Sequence, residues 1–231
     1  MQPKPLILLD FDGVIADSLT AYFEVFRAVC LEEGVHKAIV LEDFLRIFEQ
    51  NAIQGLIDAG VPLLKLRRLG KALGPRVAQV NRQVRPFAGM PQLVAELAPR
   101  YPVYVVTSNL AEPVTAFLAR HEFAGILGVL GSETDASKVK KIRRLSKRHP
   151  HNRPWYIGDT KGDMLEARKA GAVSVAAAWG WHSEALLLSA EPDHLVHSPD
   201  KSRAPADGVI TLTHTCCCPN LGSGNNRQPV I

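Results

Sequence analysis

Three groups of polar residues stand where apolar runs stop. Asp10, Asp12 and Gly13 follow PLILL at 5–9. Thr107, Ser108 and Asn109 follow VYVV at 103–106. Asp159 closes PWYIGD at 154–159, and Asp163 completes GDTKGD. Lys138 opens the basic stretch KVKKIRR between the second and third groups. Gathered in one place, these residues would form a centre of carboxylates, a hydroxyl and an ammonium. Clustered carboxylates repel: two unit charges about 4 Å apart cost about 4 kcal/mol at an effective dielectric near 20. A divalent cation with oxygen ligands relieves that repulsion, and Mg²⁺ is the usual choice where phosphate also binds. A carboxylate presented beside a metal, a lysine and a hydroxyl suits phosphoryl transfer. One acid attacks phosphorus to give a mixed anhydride. Metal and lysine neutralise the phosphoryl oxygens. A second acid protonates the leaving oxygen and then activates water.

Each piece alone has an ordinary explanation. An Asp at a strand end is commonly a cap or turn residue. GDxxxD can be a helix cap with a first-turn acid. A lone lysine usually stands in water. The weight lies in the combination, each part following an apolar run.

Those runs predict the elements that must do the positioning. Residues 5–9 show no alternation, as expected of a strand buried on both faces of a parallel sheet. A helix is expected over 17–33, capped by Asp17 or Ser18, with Tyr22, Phe23, Phe26, Val29 and Cys30 as its apolar stripe. Helical segments near 41–58 and 62–85 follow, punctuated by Gly60, Pro62, Gly74 and Pro75. No strand-like run occurs between Gly34 and Pro86, so this stretch reads as a helical insertion. After it the chain alternates: helix 90–98, strand 103–108, helix 111–122, strand 125–131, helix 137–148, strand 154–159, helix 162–170, strand 172–178. That alternation predicts an α/β fold with a parallel sheet. Right-handed crossovers then bring the strand carboxyl ends to one edge, where ligands of open α/β sheets bind.

Composition narrows the alternatives. The chain has 231 residues, 46% hydrophobic and 22% charged, which are globular proportions. No apolar run reaches the roughly 20 residues of a membrane helix, and 5–9 is too short for a signal-peptide core, so a cytoplasmic location is expected. Cys30 is isolated and Cys216, Cys217 and Cys218 are adjacent, which predicts neither a disulfide framework nor a zinc site. The net charge is +4, with acid-free basic blocks between Asp58 and Glu96 and from Lys138 to Arg153. The first block lacks interleaved aromatics, so no nucleic-acid partner is expected. Arg67, Arg68 and Lys71 are expected on the outer face of their helix. Trp155, Trp179 and Trp181 are expected to pack.

LILLDFDGVIADS, VYVVTSN, SKVKKI and YIGDTKGD together resemble the four motifs of the haloacid dehalogenase-like hydrolase superfamily, over roughly residues 5–200. The resemblance implies Asp10 as nucleophile and Asp12 as general acid and base. It implies Thr107 holding a phosphoryl oxygen, with Ser108 the alternative register, and Lys138 as the lysine, with Lys140 and Lys141 close by. Thr107, Ser108, Asn109 and Lys138 would contact the substrate. Mg²⁺ would be bound by Asp10, the backbone carbonyl of Asp12 and Asp159, with Asp163 in support. The implied fold is a Rossmann-like three-layer core, residues 1–15 and 86–200, with a helical cap at 16–85 inserted after the first strand and a poorly ordered tail at 201–231. WGWHS at 179–183 is most similar to phosphoglycolate phosphatase-like members, and the acid at Asp12 argues for phosphate chemistry over dehalogenation. Two departures stand out. The C-terminal helix expected near 199–210 is interrupted by Pro205 and Gly208, and GVITLTH at 208–214 could instead be a strand. Asn109-Leu110-Ala111 replaces a lysine often found after the hydroxyl residue. The expected function is Mg²⁺-dependent hydrolysis of a small-molecule phosphate ester, phosphoglycolate-like or a sugar phosphate. The alternatives are a phosphomutase or a catalytically idle binding protein.

Overall fold

The computed structural model describes residues 3–37 and 39–199. The tail at 201–231, the interrupted helix, the strand expected at 208–214 and the cysteine triplet lie outside them. Six strands form one sheet: β1 (Lys4–Leu9), β2 (Val103–Val106), β3 (Ile126–Leu130), β4 (Asn152–Gly158), β5 (Val173–Ala177) and β6 (His194–Val196). Their order is β3-β2-β1-β4-β5-β6, and every pairing is parallel. β1 is central and buried from Pro5 onward, which explains its unbroken apolar run. The chain steps outward on one side of β1 through β2 and β3. It then crosses back to β4 on the other side. The crevice at this switch, beyond the carboxyl ends of β1 and β4, is where such sheets hold ligands.

Helices α1 (Leu19–Glu32), α2 (Leu41–Ile47), α3 (Ala52–Asp58) and α4 (Leu63–Val80) fill the stretch between β1 and β2. They are followed by α5 (Met90–Leu97), α6 (Ala111–Arg120), α7 (Lys138–Arg148), α8 (Lys161–Ala170) and α9 (Glu184–Leu188). On one face of the sheet Ile7, Leu9, Val103 and Val105 pack with Met90 and Val94 of α5 and Phe117 of α6. On the other, Leu6, Leu8, Tyr104 and Tyr156 pack with Ile142 and Leu145 of α7 and Ala167 of α8. The period-2 alternation of a strand sends neighbours to opposite cores, and the result is a three-layer α/β/α, Rossmann-like fold. No described helix is long and apolar enough to cross a membrane.

The first four helices have an apolar cluster of their own, with Phe26, Val29, Phe44, Ile47 and Leu69 at its centre. The chain leaves the sheet and returns to it at adjacent points: the Asp17 N–H donates to Arg85 O and the Phe87 N–H to Ile15 O, both at 2.9 Å. Three details differ from expectation. The helical period over 41–58 hides a break, because Phe48–Asn51 turns away and Asn51 caps α3 by accepting from the Ile53 N–H at 3.1 Å. α4 runs through Pro75 and stops at Val80 rather than near 85. Proline normally clashes with the Cβ of a helical residue before it, and Gly74 has none. Finally, α9 and β6 are too short to produce a periodic signal.

One close contact between this helical segment and the sheet core lies at the start of α8. The Gly162 N–H donates to Phe48 O at 3.0 Å. A methyl group on Gly162 would overlap the carbonyl oxygens of Phe48 and Gln50. Gly162→Ala should therefore wedge the two apart and destabilise the protein by about 1–3 kcal/mol, the usual cost of overpacking. Thermal or urea denaturation checks this, and an unchanged midpoint would contradict the close approach.

Candidate active site

Asp10 follows the last residue of β1, Thr107 follows β2 and Asp159 follows β4. Because β1 neighbours both β2 and β4, in register at Leu9↔Val105 and Leu9↔Ile157, the three strand ends lie side by side. Lys138 is the first residue of α7, whose N-cap Ser137 accepts from the Lys140 N–H at 3.4 Å. From there its ammonium reaches under the sheet edge. It lies 2.6 Å from Asp10 Oδ2 and 2.6 Å from Asp163 Oδ1. All three side chains are buried, and both ion pairs are therefore sheltered from screening.

Asp163 serves two purposes at once. It is the third residue of α8 and forms a reciprocal capping box with Thr160, whose hydroxyl donates to Asp163 Oδ2 at 2.7 Å. Its other oxygen takes Lys138 and the Tyr156 hydroxyl, the latter at 3.2 Å. Asp159 accepts the Trp181 N–H at 2.8 Å. Gly13 (φ 72°) and Gly180 crowd this carboxylate so closely that a Cβ on either would overlap it. Ligand oxygens of Asp10, Asp159 and Asp163 lie within 4.8 Å of one another, and all three residues are buried.

The Asp12 carboxylate turns away from this trio. Its Oδ1 accepts the Ser18 hydroxyl at 2.7 Å and its Oδ2 accepts the Asn109 amide at 2.6 Å. Asn109 is in turn fixed by its own N–H, which donates to Thr107 Oγ1 at 3.0 Å. Thr107 and Asn109 are buried while Ser108 between them is exposed. The lysine register is resolved by α7: Lys140 is exposed 3.6 Å from Asp135, while Lys141 is buried and donates to the carbonyls of Thr107 and Gly131. Lys141 thus braces the turn that carries Thr107 without facing the acids.

The charge balance follows from burial. Burial pushes Asp10 up to about 7 against the pull of Lys138. Burial also raises Asp12 to about 6, with the Ser18 and Asn109 hydrogen bonds opposing. Asp159 is pushed well up by burial and by the neighbouring Asp163. In Asp163 burial is outweighed by Lys138 and Thr160, which hold it below the usual carboxylate range. Lys138 keeps its proton, because Asp10 and Asp163 outweigh its desolvation. Burial and the nearby Lys138 push Lys141 down to about 8. One ammonium thus faces more acid than it can neutralise, and the surplus sits in buried oxygens. A hard divalent cation fits that donor set.

Sequence reasoning expected a helical cap at 16–85 but did not name the residues that this segment turns toward the site. Gln50, Asn51 and Phe48, in the break between α2 and α3, line the same pocket as Asp10 and Lys138. Glu166 lines it as well, 3.5 Å from the Asn51 amide. Trp181 leaves the sheet domain and packs among Tyr22, Phe44 and Phe48. Next to it, His182 is 2% exposed. Its Nδ1 accepts the Lys161 N–H at 3.0 Å, so Nε2 carries the proton and donates to Leu45 O at 3.0 Å. Burial lowers its basicity, consistent with a neutral ring bridging α8 to α2. Trp181 packs as expected of it, while only the WGWHS string pointed at His182.

A phosphoglycolate phosphatase of Synechococcus elongatus is 26% identical over 197 residues, covering 84% of this chain and 92% of its own length. A phosphoglycolate phosphatase of Xanthomonas campestris pv. campestris is 27% identical over 221 residues, covering 87% and 95%. In structure, the chain superposes on a haloacid dehalogenase-like family hydrolase of Streptococcus pneumoniae with a TM-score of 0.69 at 24% identity, over 86% of this chain and 95% of that one. The haloacid dehalogenase-like hydrolase family itself matches residues 7–177, a span holding both DFDGV and GDTKGD, and the chain belongs to that family.

Proposed function

We propose that this hydrolase is a Mg²⁺-dependent phosphatase that cleaves a small phosphate monoester through an aspartyl-phosphate on Asp10. The observation that carries the reading is Lys138, held 2.6 Å from both Asp10 and Asp163 at the mouth of a pocket that also contains Asp12 and Thr107. That arrangement offers one carboxylate to an anionic substrate beside a fixed positive charge. The helical segment α1–α4 acts as the cap, supplying Tyr22, Phe48, Gln50 and Asn51 to the pocket wall.

Asp10, Asp159 and the backbone carbonyl of Asp12 would hold Mg²⁺, with Asp163 supporting. The ion supplies Lewis-acid stabilisation of the charge on the phosphoryl oxygens. The remaining work belongs to side chains of the chain. Asp10 Oδ1 accepts the Phe11 N–H at 2.8 Å, which fixes its rotamer. A carboxylate oxygen of Asp10 bonds to phosphorus as the ester P–O bond breaks. Lys138 and the Thr107 hydroxyl take the phosphoryl oxygens. Asp12 gives its proton to the leaving alcohol. It then takes a proton from the water that attacks phosphorus, releasing inorganic phosphate and restoring Asp10. A value of about 6 suits an acid that must both lose and regain a proton near neutrality. Its hydrogen-bond partners allow the exchange: the Ser18 hydroxyl can donate to the carboxylate or accept from the acid, while Asn109 holds the other oxygen.

Asp10→Asn should lower phosphate release by roughly three orders of magnitude or more while leaving the circular dichroism spectrum and melting temperature near the parent's. A phosphate-release assay with Mg²⁺ over a panel of phosphate esters is the measurement. Near-normal turnover in the variant would exclude Asp10 as nucleophile.

The pH dependence of metal binding follows from the same groups. Of the acids that would hold the cation, Asp10 titrates near 7 in the folded chain and Asp159 is also pushed well up, against 3.8 for a free Asp. Their raised values favour folding at low pH, and that contribution is lost as pH rises from about 4 through about 7. A cation binds the ionised form and recovers what is lost. Mg²⁺ should therefore raise the melting temperature clearly more at pH 8 than at pH 5, as read by thermal shift with and without saturating Mg²⁺. Equal shifts at the two pH values would count against the buried acids as ligands.

A further inference from the structure

The phosphate pocket does not end at Asp12. A second cavity of about 400 Å³ opens beside it, between α4 and the turn from β2 into α6. Tyr22, Ser108 and Asn109 belong to the walls of both spaces. They meet where Asn109 holds the carboxylate that would protonate a leaving oxygen. An alcohol departing from phosphorus at Asp12 is therefore directed past Asn109 and Tyr22 into the second cavity.

One face of α4 builds its far wall: Gly70, Leu73, Gly74, Val77, Ala78 and, at the end, Asn81. A Cβ on Gly70 or Gly74 would meet nothing within 4 Å. Glycine inside a helix is less stable than alanine. Gly74 is accounted for by Pro75, but Gly70 has no such partner, and its effect is to leave room. Asn81 is 2% exposed, and neither atom of its side-chain amide has a hydrogen-bond partner. A buried orphan amide is rare and costly, and a turn of this side chain toward the cavity it lines would pair it with a hydroxyl brought by a ligand.

Charge defines what that ligand is. None of the described residues lining this cavity is charged. In the phosphate pocket Lys138 is the one cation among the described lining residues, against Asp10, Asp12, Asp159, Asp163 and Glu166. Arg67 and Lys71 of α4 are exposed and line neither space. A carboxylate on the leaving group would stand beside Leu73, Val77 and Pro113 with no counter-charge to meet it.

We propose that the cavity between α4 and the β2–α6 turn receives the leaving alcohol of the substrate, and that this alcohol is uncharged, hydroxylated and of sugar size. The inference rests on the phosphatase reading and separates this chain from the phosphoglycolate phosphatases it resembles, whose named substrate carries a carboxylate on two carbons.

The test compares kcat/KM for 2-phosphoglycolate with that for a panel of pentose and hexose monophosphates, in the parent and in two variants. The best sugar phosphate should exceed 2-phosphoglycolate by at least tenfold. Gly70→Leu, which fills the cavity from a position with open space beside it, should lower the sugar-to-glycolate ratio at least tenfold, mostly through KM. Asn81→Leu should raise KM for the sugar phosphate severalfold while the melting temperature stays level or rises, because a buried unpaired amide has been removed. A purely structural Asn81 would move the melting temperature and leave KM alone. If phosphate is released but 2-phosphoglycolate is preferred, or both variants keep the parent ratio and KM, the cavity assignment is overturned and the phosphatase reading stands. If no ester releases phosphate, p-nitrophenyl phosphate included, both are overturned.

Discussion

The arrangement depends on one ammonium group buried between two carboxylates. Removing an ion from water is expensive, and an ion pair offsets that cost only with close geometry and satisfied hydrogen bonds. Lys138 meets the first condition with two contacts of 2.6 Å. Asp163 meets the second through Thr160 and Tyr156. Among the described residues, the pairing leaves Asp159 and Asp12 without a cation of their own. The site is thus built with a deficit of positive charge, and that deficit favours a divalent ion and makes one strand-end acid available for chemistry.

The sheet makes such a cluster possible at low cost in backbone. Asp10, Thr107 and Asp159 come from three strands that are distant in sequence but adjacent in space, because the strand order reverses at β1. Each stands one residue beyond its strand, so none of the ladder hydrogen bonds is given up. Helix starts supply the rest. Lys138 begins α7, and the capping box of α8 places Asp163. A residue that would serve as an ordinary cap elsewhere here also orients the lysine.

Part of this could be read from the chain because Asp10 and Asp159 each close an apolar run that suits a buried strand. The Lys138 register was harder. Lys138 and Lys141 are three residues apart and share a helix face, and both are buried. Which one reaches the acids depends on how far α7 is advanced along the sheet, a tertiary quantity that periodicity does not encode. The break after Ile47 was invisible for a related reason. Phe44, Ile47, Phe48 and Ile53 keep an approximately helical spacing across it, while the turn itself is held by the Gly162 N–H on Phe48 O, far along the chain. β6 and α9 contain too few residues to show a period. Trp181 was legible as a packing residue, but which aromatic rings receive it was not, and His182 gave a motif without a role, because their contacts lie in a separate layer.

Trp181 joins the acid cluster to the apolar cluster of the first four helices, beside the packing that Val80 of α4 and Ala21 and Val25 of α1 make with the sheet core. Its peptide N–H is fixed to Asp159, while its indole ring is embedded between Tyr22, Phe44 and Phe48. The Asp159 carboxylate therefore orients, through a single hydrogen bond, the same residue that seats the helices. One residue thus belongs to both environments, its backbone tied to the acid cluster and its ring to the apolar centre of the helices.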